Sequence, residues 1–137
     1  MKDTQEILYT AIYTAISSIT DVYSAVPANK SMPYVYLGDI IKDEQTGAKD
    51  RFIDQGTIDI SIYTDTDNQQ GSKSEMLTLT NSVKVALKPN KTSVLNLSPN
   101  FKMTVWYLSN EATRTETTKN KKVFINTIQY YYEIEQL

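Results

Sequence analysis

The sequence predicts an α+β fold, in which an antiparallel sheet of about four strands carries two helices on one face, in the order α-β-β-α-β-β. Apolar residues recur every three to four positions near the N-terminus and again after Gly71, which indicates two amphipathic helices. Residues 57–63 and 101–108 alternate between apolar and polar, which is typical of strands with one buried face. The connections between these elements suit antiparallel pairing, with both helices on one side of the sheet.

The first helix is predicted from one apolar stripe, with Asp3 and Glu6 as a capping box at its start. The residues of the stripe are Ile7, Leu8, Ala11, Ile12, Ala15, Ile16 and Ile19. Residues 20–31 are polar, and we expect a loop there. A strand should follow from Pro33 to about Ile41, because proline has no backbone donor and is tolerated at the first residue of a strand.

The middle of the chain combines a charged connection, a strand and the second helix. Residues 42–55 carry seven charged side chains and predict a long connection. In the strand at residues 57–63, we expect Ile58, Ile60 and Ile62 to face the core. Residues 64–71 predict a polar loop, and Ser72 with Glu75 predicts a second capping box for a helix that ends near Lys88.

The C-terminal part predicts two strands separated by a long loop. The strand at residues 101–108 is followed by residues 109–121, which lack large apolar groups and predict a mobile hairpin loop. Residues 122–135 form the last predicted strand. Because side chains alternate along a strand, Tyr131 should point away from the face that holds Tyr130 and Tyr132.

Composition predicts one globular domain without a membrane segment. The chain has 137 residues, 40% of them hydrophobic, and no run approaches the roughly 20 apolar residues that span a bilayer. The N-terminus does not fit a signal peptide, because Asp3 and Glu6 interrupt the basic region that such a peptide requires. We therefore expect a cytoplasmic protein.

Several kinds of chemistry are disfavoured by the residues that the chain lacks. It has no cysteine and no histidine, which removes thiol nucleophiles, imidazole bases and the usual zinc sites. Its four glycines are scattered and cannot form a phosphate-binding loop. Asp65 and Asp67 begin like a calcium loop, but Gln70 and Met76 occupy the places that require glycine and glutamate. We predict no catalytic residue, no cofactor and no metal.

Charge is divided unevenly along the chain. Through Gly71 there are 11 acidic and 5 basic residues, and the remainder has 5 acidic and 9 basic residues, so the two parts carry −6 and +4. Such a division can serve head-to-tail contacts between copies, or the two parts can pair within one fold. We favour internal pairing, and the sequence leaves both interpretations open.

Two candidate interaction sites stand out. Phe52 and Ile53, next to Arg51, are the only large apolar pair in the charged connection, which suggests a projecting hairpin that engages another protein, although a local tuck against the core is also possible. Tyr131 is the second candidate, because tyrosine is enriched at protein interfaces.

The order of these parts resembles the tail terminator and tail-completion proteins of long-tailed bacteriophages. The resemblance covers residues 4–88, and four segments carry it: the helix ending near Val22 and Tyr23, the strand start at residues 32–35, the strand at residues 58–63, and the helix closing on residues 85–87. None of these segments is a catalytic signature.

The resemblance implies a structural protein of the virion, at the junction of tail and head, which is made in the cytoplasm of the infected bacterial host. Such a protein caps the tail tube as a hexameric ring, ends polymerisation of the major tail-tube protein and meets a neck or head-completion protein. DNA would pass through the ring without specific binding. The chain can stay monomeric before assembly, and residues 42–55 would correspond to a hairpin that reaches a neighbour. The alternatives are a head-proximal neck or head–tail joining protein and a small-ligand-binding or enzymatic α+β domain.

Overall fold

The computed structural model describes residues 4–27, 30–42, 52–67, 73–87, 95–117 and 121–137. Its helices are α1 (Thr4–Ile16) and α2 (Ser74–Leu87). Its strands are β1 (Val22–Tyr23), β2 (Tyr34–Lys42), β3 (Phe52–Asp67), β4 (Phe101–Thr117) and β5 (Lys121–Gln136). The strands form one sheet in the order β1-β2-β3-β5-β4.

The α+β class with two helices is confirmed, but the sheet has five strands and is mixed rather than four-stranded and antiparallel. The added strand, β1, lies in the predicted loop at residues 20–31 and runs parallel to β2, with Val22 opposite Val35. The backbone N–H of Val35 also donates to the carbonyl oxygen of Asp21, at 2.8 Å. Two residues are too few to produce an alternating pattern, so the sequence could not indicate this strand.

The two long strands that flank β5 extend beyond their predicted limits. β3 includes residues 52–55 of the predicted connection and residues 64–67 of the predicted loop, and it pairs with β5 from Phe52 to Asp67. The predicted loop at residues 109–121 is wrong over residues 109–117 and at Lys121, because β4 continues to Thr117 and β5 begins at Lys121. Residues 118–120 of that predicted loop lie outside the described residues. Both extensions are stabilised by backbone pairing with β5, which requires no particular side-chain pattern.

The helices agree with their apolar stripes, except that α1 ends at Ile16, before Ile19 of its predicted stripe and before the end near Val22 and Tyr23 that the resemblance implied. In α1, Leu8, Ile12 and Ile16 are spaced by four residues and fully buried. The predicted caps Asp3 and Ser72 lie outside the described residues. The first residue of α2 is Ser74, and the carbonyl oxygen of Lys73 accepts a hydrogen bond from the N–H of Leu77, so this helix begins two residues after Ser72.

The core lies between the helices and one face of the sheet. Ile58, Ile60 and Ile62 have no solvent exposure, as their alternation predicts. They share one apolar cluster with Leu8 and Ile12 of α1, and with residues of α2 and β5. Burial of each such side chain stabilises the fold by about 1.5–3 kcal/mol relative to its exposure. Both helices therefore cover the same face, and no helix among the described residues covers the other face, the open face.

Candidate interaction surfaces

The open face of the sheet carries a row of polar pairs between its two central strands. Asp59 accepts a hydrogen bond from Nε2 of Gln129 at 3.0 Å, and the hydroxyls of Ser61 and Thr127 lie 2.9 Å apart. Because each donor meets an acceptor on the neighbouring strand, these side chains are held in place without a helix above them. The open face is thus an ordered polar surface between β3 and β5.

Tyr131 lies on this open face, next to the outer strand. It is half-buried, whereas Tyr130 and Tyr132 are buried in the core, so the alternation predicted for the three tyrosines is confirmed. The Tyr131 hydroxyl donates to Oε1 of Glu133 at 2.7 Å, and its ring centroid lies 5.2 Å from that of Tyr107 on β4. The two rings form an aromatic surface beside the edge of the sheet.

A second aromatic group lies at the β1 side of the sheet. Tyr34 stacks on Tyr63 with 4.9 Å between ring centroids, and Tyr23 meets Tyr34 edge-on at 6.2 Å. The Lys30 ammonium lies 5.6 Å from the Tyr23 ring centroid and forms an ion pair with Asp21 at 2.6 Å. That carboxylate and the Tyr23 hydroxyl raise the pKa of Lys30. These contacts attach β1 and its flanking loop to the sheet.

The predicted projecting segment is only partly described. Arg51 lies outside the described residues. The backbone of Phe52 opens β3 opposite Gln136, and Ile53 is half-buried opposite Glu135 of β5. Tyr131 pairs with Thr57, which lies four residues along β3 from Ile53. The two candidate sites are therefore separate places on the sheet.

The outer strand β4 is the main surface that the sequence did not indicate. Phe101, Met103 and Trp106 point into the core, but every residue from Tyr107 to Thr117 is exposed. β4 is the terminal strand of the sheet, and β5 lies along one of its sides. A loop was expected there because exposed residues carry no apolar alternation. The abundance of β-branched threonine at residues 113–117 was the available indication of a strand.

A buried polar cluster connects α2 to the β4–β5 ribbon. Asn126 of β5 has no solvent exposure, accepts a hydrogen bond from the hydroxyl of Thr113 and donates to Thr80 Oγ1 and Glu111 Oε2. Lys84 of α2 donates to Glu111 Oε1 at 2.6 Å. Hydrogen bonds from Asn126 and then Lys84 lower the pKa of Glu111 below its ordinary value of 4.5. The cluster fixes the position of β4 relative to α2.

A second connection between β4 and α2 is made by the tryptophan. Nε1 of Trp106 donates to the carbonyl oxygen of Leu87 at 3.0 Å, which satisfies one of the free carbonyls at the end of α2. The indole stacks on Tyr130 with 4.5 Å between ring centroids. Burial, and secondarily the charge of Glu111, raises the pKa of Tyr130 to about 12, so this phenol stays neutral near pH 7. The N-terminal half of β4 is thereby rigidly attached to the core.

Part of the uneven charge is neutralised inside the fold. Lys121 from the basic part of the chain lies 3.4 Å from Asp65 of the acidic part, across the β3–β5 pair. Lys42 and Asp54, both from the acidic part, lie 3.6 Å apart, and Thr4 also donates to Asp54. Pairing between the acidic and basic parts within one chain is therefore found for Lys121 and Asp65. For the other charges, head-to-tail contacts between copies stay a prediction.

Neither a metal site nor a membrane helix is found within the described ranges. No group of three or more acidic side chains there is arranged to hold a metal ion. No described helix has the length and apolar character that crossing a bilayer requires. Asn68 to Gln70 of the calcium-like stretch lie outside these ranges.

Comparison with known proteins agrees with the fold and with the sequence resemblance. The model of the family described as tail completion protein gp17 matches residues 9–132, from α1 to β5. A chain in the virion of a native gene transfer agent particle shares the fold, with a TM-score of 0.66 and 18% identity over 92% of this chain and 94% of that chain. No curated protein matches the sequence. Because the family model spans most of the chain, the protein belongs to the tail completion protein gp17 family.

Proposed function

We propose that the protein is a structural component of a phage-like virion that completes the tail. The family match over residues 9–132 carries this proposal, and it includes the C-terminal strands, which the sequence resemblance did not cover. The shared fold with a chain of a gene transfer agent virion supports it. A non-enzymatic role agrees with a chain that has neither cysteine nor histidine.

In its specific form, the proposal is that the protein caps the tail tube as a hexameric ring, ends polymerisation and joins tail to head. Its partners are other copies of itself, the major tail-tube protein and a neck or head-completion protein. DNA passes through the ring without specific binding, which suits a net charge of −2. Ring closure requires a heterologous interface, in which one patch meets a different patch on the next copy.

The segment around Arg51, Phe52 and Ile53 is proposed to engage a neighbouring copy or the tube. β2 and β3 are antiparallel partners, so the chain between them connects at the end of the sheet where Lys42 pairs with Gly56. Tyr131 is proposed as a second contact, because its ring and that of Tyr107 form an aromatic surface on the open face. Both proposals predict residues that matter for assembly more than for folding.

The capping role can be tested with purified proteins. The protein is added to polymerising tail-tube subunits of the same phage, and tube lengths are measured by electron microscopy. A terminator should bind one end of each tube and shorten the tubes as its concentration rises. Tubes of unchanged length without bound protein would contradict capping. Binding to preformed necks without an effect on tube length would favour the head–tail joining alternative.

The role of the 51–53 segment can be tested in the same assay. Phe52→Ala should leave the melting temperature of the isolated protein within about 1–2 °C of wild type and weaken ring formation on tubes. A matched control is Ile58→Ala in the core, which should lower the melting temperature markedly. If Phe52→Ala also lowers it markedly while assembly stays intact, the segment packs on its own domain.

A further inference from the structure

The sheet ends in two edges that are incompletely paired in the described part of the chain. β4 forms one edge, with β5 on its inner side and no described strand on its outer side. At the opposite edge, β1 covers β2 only at Val35 and Tyr36. Beyond Tyr36, no described strand lies along the outer side of β2. Backbone donors and acceptors on such edges can pair with a strand from another molecule.

Both edges present apolar side chains to solvent. Among the strand side chains that the structure describes, three large apolar residues are exposed, namely Ile41 at 60%, Tyr107 at 49% and Leu108 at 39%. Ile41 lies on the β2 edge, and Tyr107 and Leu108 lie on the β4 edge. Residues 103–110 of β4 also contain no charged side chain. An uncharged edge with exposed apolar groups lacks the usual protection against pairing, which indicates that another strand covers it.

The two edges have regular segments of similar length, and their side chains face the same sides of the sheet. Register shifts enclose residues 105–108 of β4 as one regular segment, and in β2 regular pairing resumes at Ile40 and runs to Lys42. Ile41 and Tyr107 lie on the open face, because they pair with Thr57 and Tyr131. The preceding Ile40 and the following Leu108 lie on the helix-covered face. An antiparallel pair can therefore place apolar groups together on both faces.

Strand direction also agrees with pairing between copies. Each of the pairs β2–β3, β3–β5 and β5–β4 is antiparallel, so β4 runs opposite to β2 within one chain. If copies are related by rotation about an axis roughly parallel to the strands, β4 of one copy meets β2 of the next in antiparallel orientation. That orientation continues the existing ladder and gives a heterologous contact that can close into a ring.

We propose that residues 106–108 of β4 in one copy pair antiparallel with Ile40–Lys42 of β2 in the next copy, with Tyr107 beside Ile41 and Leu108 beside Ile40. This inference rests on the proposed ring function and identifies the partner of both edges as a second copy of this chain. The ladder is only three residues long, because the register shift between Leu37 and Ile40 interrupts β2, which ends at Lys42. One such contact is weak, and closure on a tube end adds the contacts cooperatively.

Cysteine cross-linking tests this pairing directly, since the chain has no cysteine of its own. The double variant Ile41→Cys with Tyr107→Cys is assembled on tail tubes, oxidised mildly and separated on a denaturing gel. The expected result is a ladder of linked species that ends at the hexamer. Each single variant should stay monomeric on the gel. A matched control pairs Ile41→Cys with Leu77→Cys, an equally exposed position on α2, and should not link.

A second pair of cysteine substitutions detects a different register between β4 and β2 of the next copy. Ile41→Cys with Val105→Cys should link only if β4 is shifted by two residues, and a link at either position supports the edge pairing. In addition, Tyr107→Lys should raise the concentration needed to cap half of the tubes about tenfold, with an unchanged melting temperature. Leu77→Lys should have no such effect.

Failure of the inference and failure of the proposed function give different results. If wild-type protein caps tubes but neither cysteine pair links, the edge pairing is wrong and the capping role stands. If wild-type protein does not cap tubes, the capping role is wrong. In that case, linkage of the first pair in concentrated free protein still decides the edge pairing, and absence of linkage there overturns it.

Discussion

β3 and β4 are both long strands that pair with β5, yet they are stabilised by different interactions. β3 has 16 residues, occupies the centre of the sheet and places Ile58, Ile60 and Ile62 in the core. β4 has 17 residues and contributes Phe101, Met103 and Trp106 to the core before it becomes exposed on both faces. β3 is therefore required for folding, whereas the second half of β4 keeps exposed side chains that are available for contacts with another molecule.

The largest expected effect distinguishes these two strands. Ile60→Asp on β3 places a carboxylate without a partner in the core, at a cost that exceeds the stability of a typical domain of about 5–15 kcal/mol if the charge is kept. When unfolding in urea is monitored by circular dichroism, we expect no cooperative transition for this variant. The matched control Thr115→Asp on the exposed part of β4 should change stability by no more than about 0.5 kcal/mol. A cooperatively folded Ile60→Asp protein would contradict the assigned core face.

A smaller effect is expected from the polar cluster that attaches β4 to α2. Asn126→Ala removes hydrogen bonds to Thr113, Thr80 and Glu111, and should destabilise the protein by about 2 kcal/mol in urea titration. Gln129→Ala is the matched control on the open face, where water can replace the hydrogen bond to Asp59. This substitution should lower the free energy of unfolding by only about 0.5 kcal/mol. Equal losses in both variants would mean that the cluster does not contribute more than an exposed pair.

The indole hydrogen bond should contribute less again. Trp106→Phe keeps an aromatic ring next to Tyr130 but removes the donor to the Leu87 carbonyl, and should cost about 1 kcal/mol in urea titration. Tyr107→Phe, on the exposed side of β4, should be close to neutral. If Trp106→Phe is also neutral, water replaces the indole at the end of α2.

The smallest effect is a dependence on pH. Because the folded protein lowers the pKa of Glu111 below 4.5, the charged carboxylate stabilises the fold above that pH, and this stability is lost as pH falls through the folded-state pKa. The melting temperature of wild type should exceed that of Glu111→Gln at pH 7, and the difference should shrink below pH 4.5. A difference that stays constant or grows on acidification would contradict the assigned interaction.

β3 and β4 also differ in how far the sequence could predict them. Alternation at residues 57–63 and the apolar stripes of the helices identified the core, because burial imposes a period on the side chains. The end of β4 and the two residues of β1 were missed, since both are held by backbone pairing to a neighbouring strand. Burial gave no pattern there, and the partner strand cannot be identified from local sequence.

The candidate sites were predictable to a similar degree. The orientation of Tyr131 followed from strand alternation. Its contact with Tyr107 did not, because it depends on which strand lies beside β5 and on the register of that pair. The buried position of Asn126 within a polar cluster was equally hidden, since its partners come from α2 and from a segment expected to be a loop.

The most direct test of the tail-completion role is to measure tail length and head attachment in a phage that lacks the gene. Electron microscopy of the lysate should show overlong tails beside filled heads that carry no tail, and the gene supplied from a plasmid should restore both. Tails of normal length that are not attached would assign the protein to head–tail joining. Tails of normal length attached to heads would contradict the proposed function.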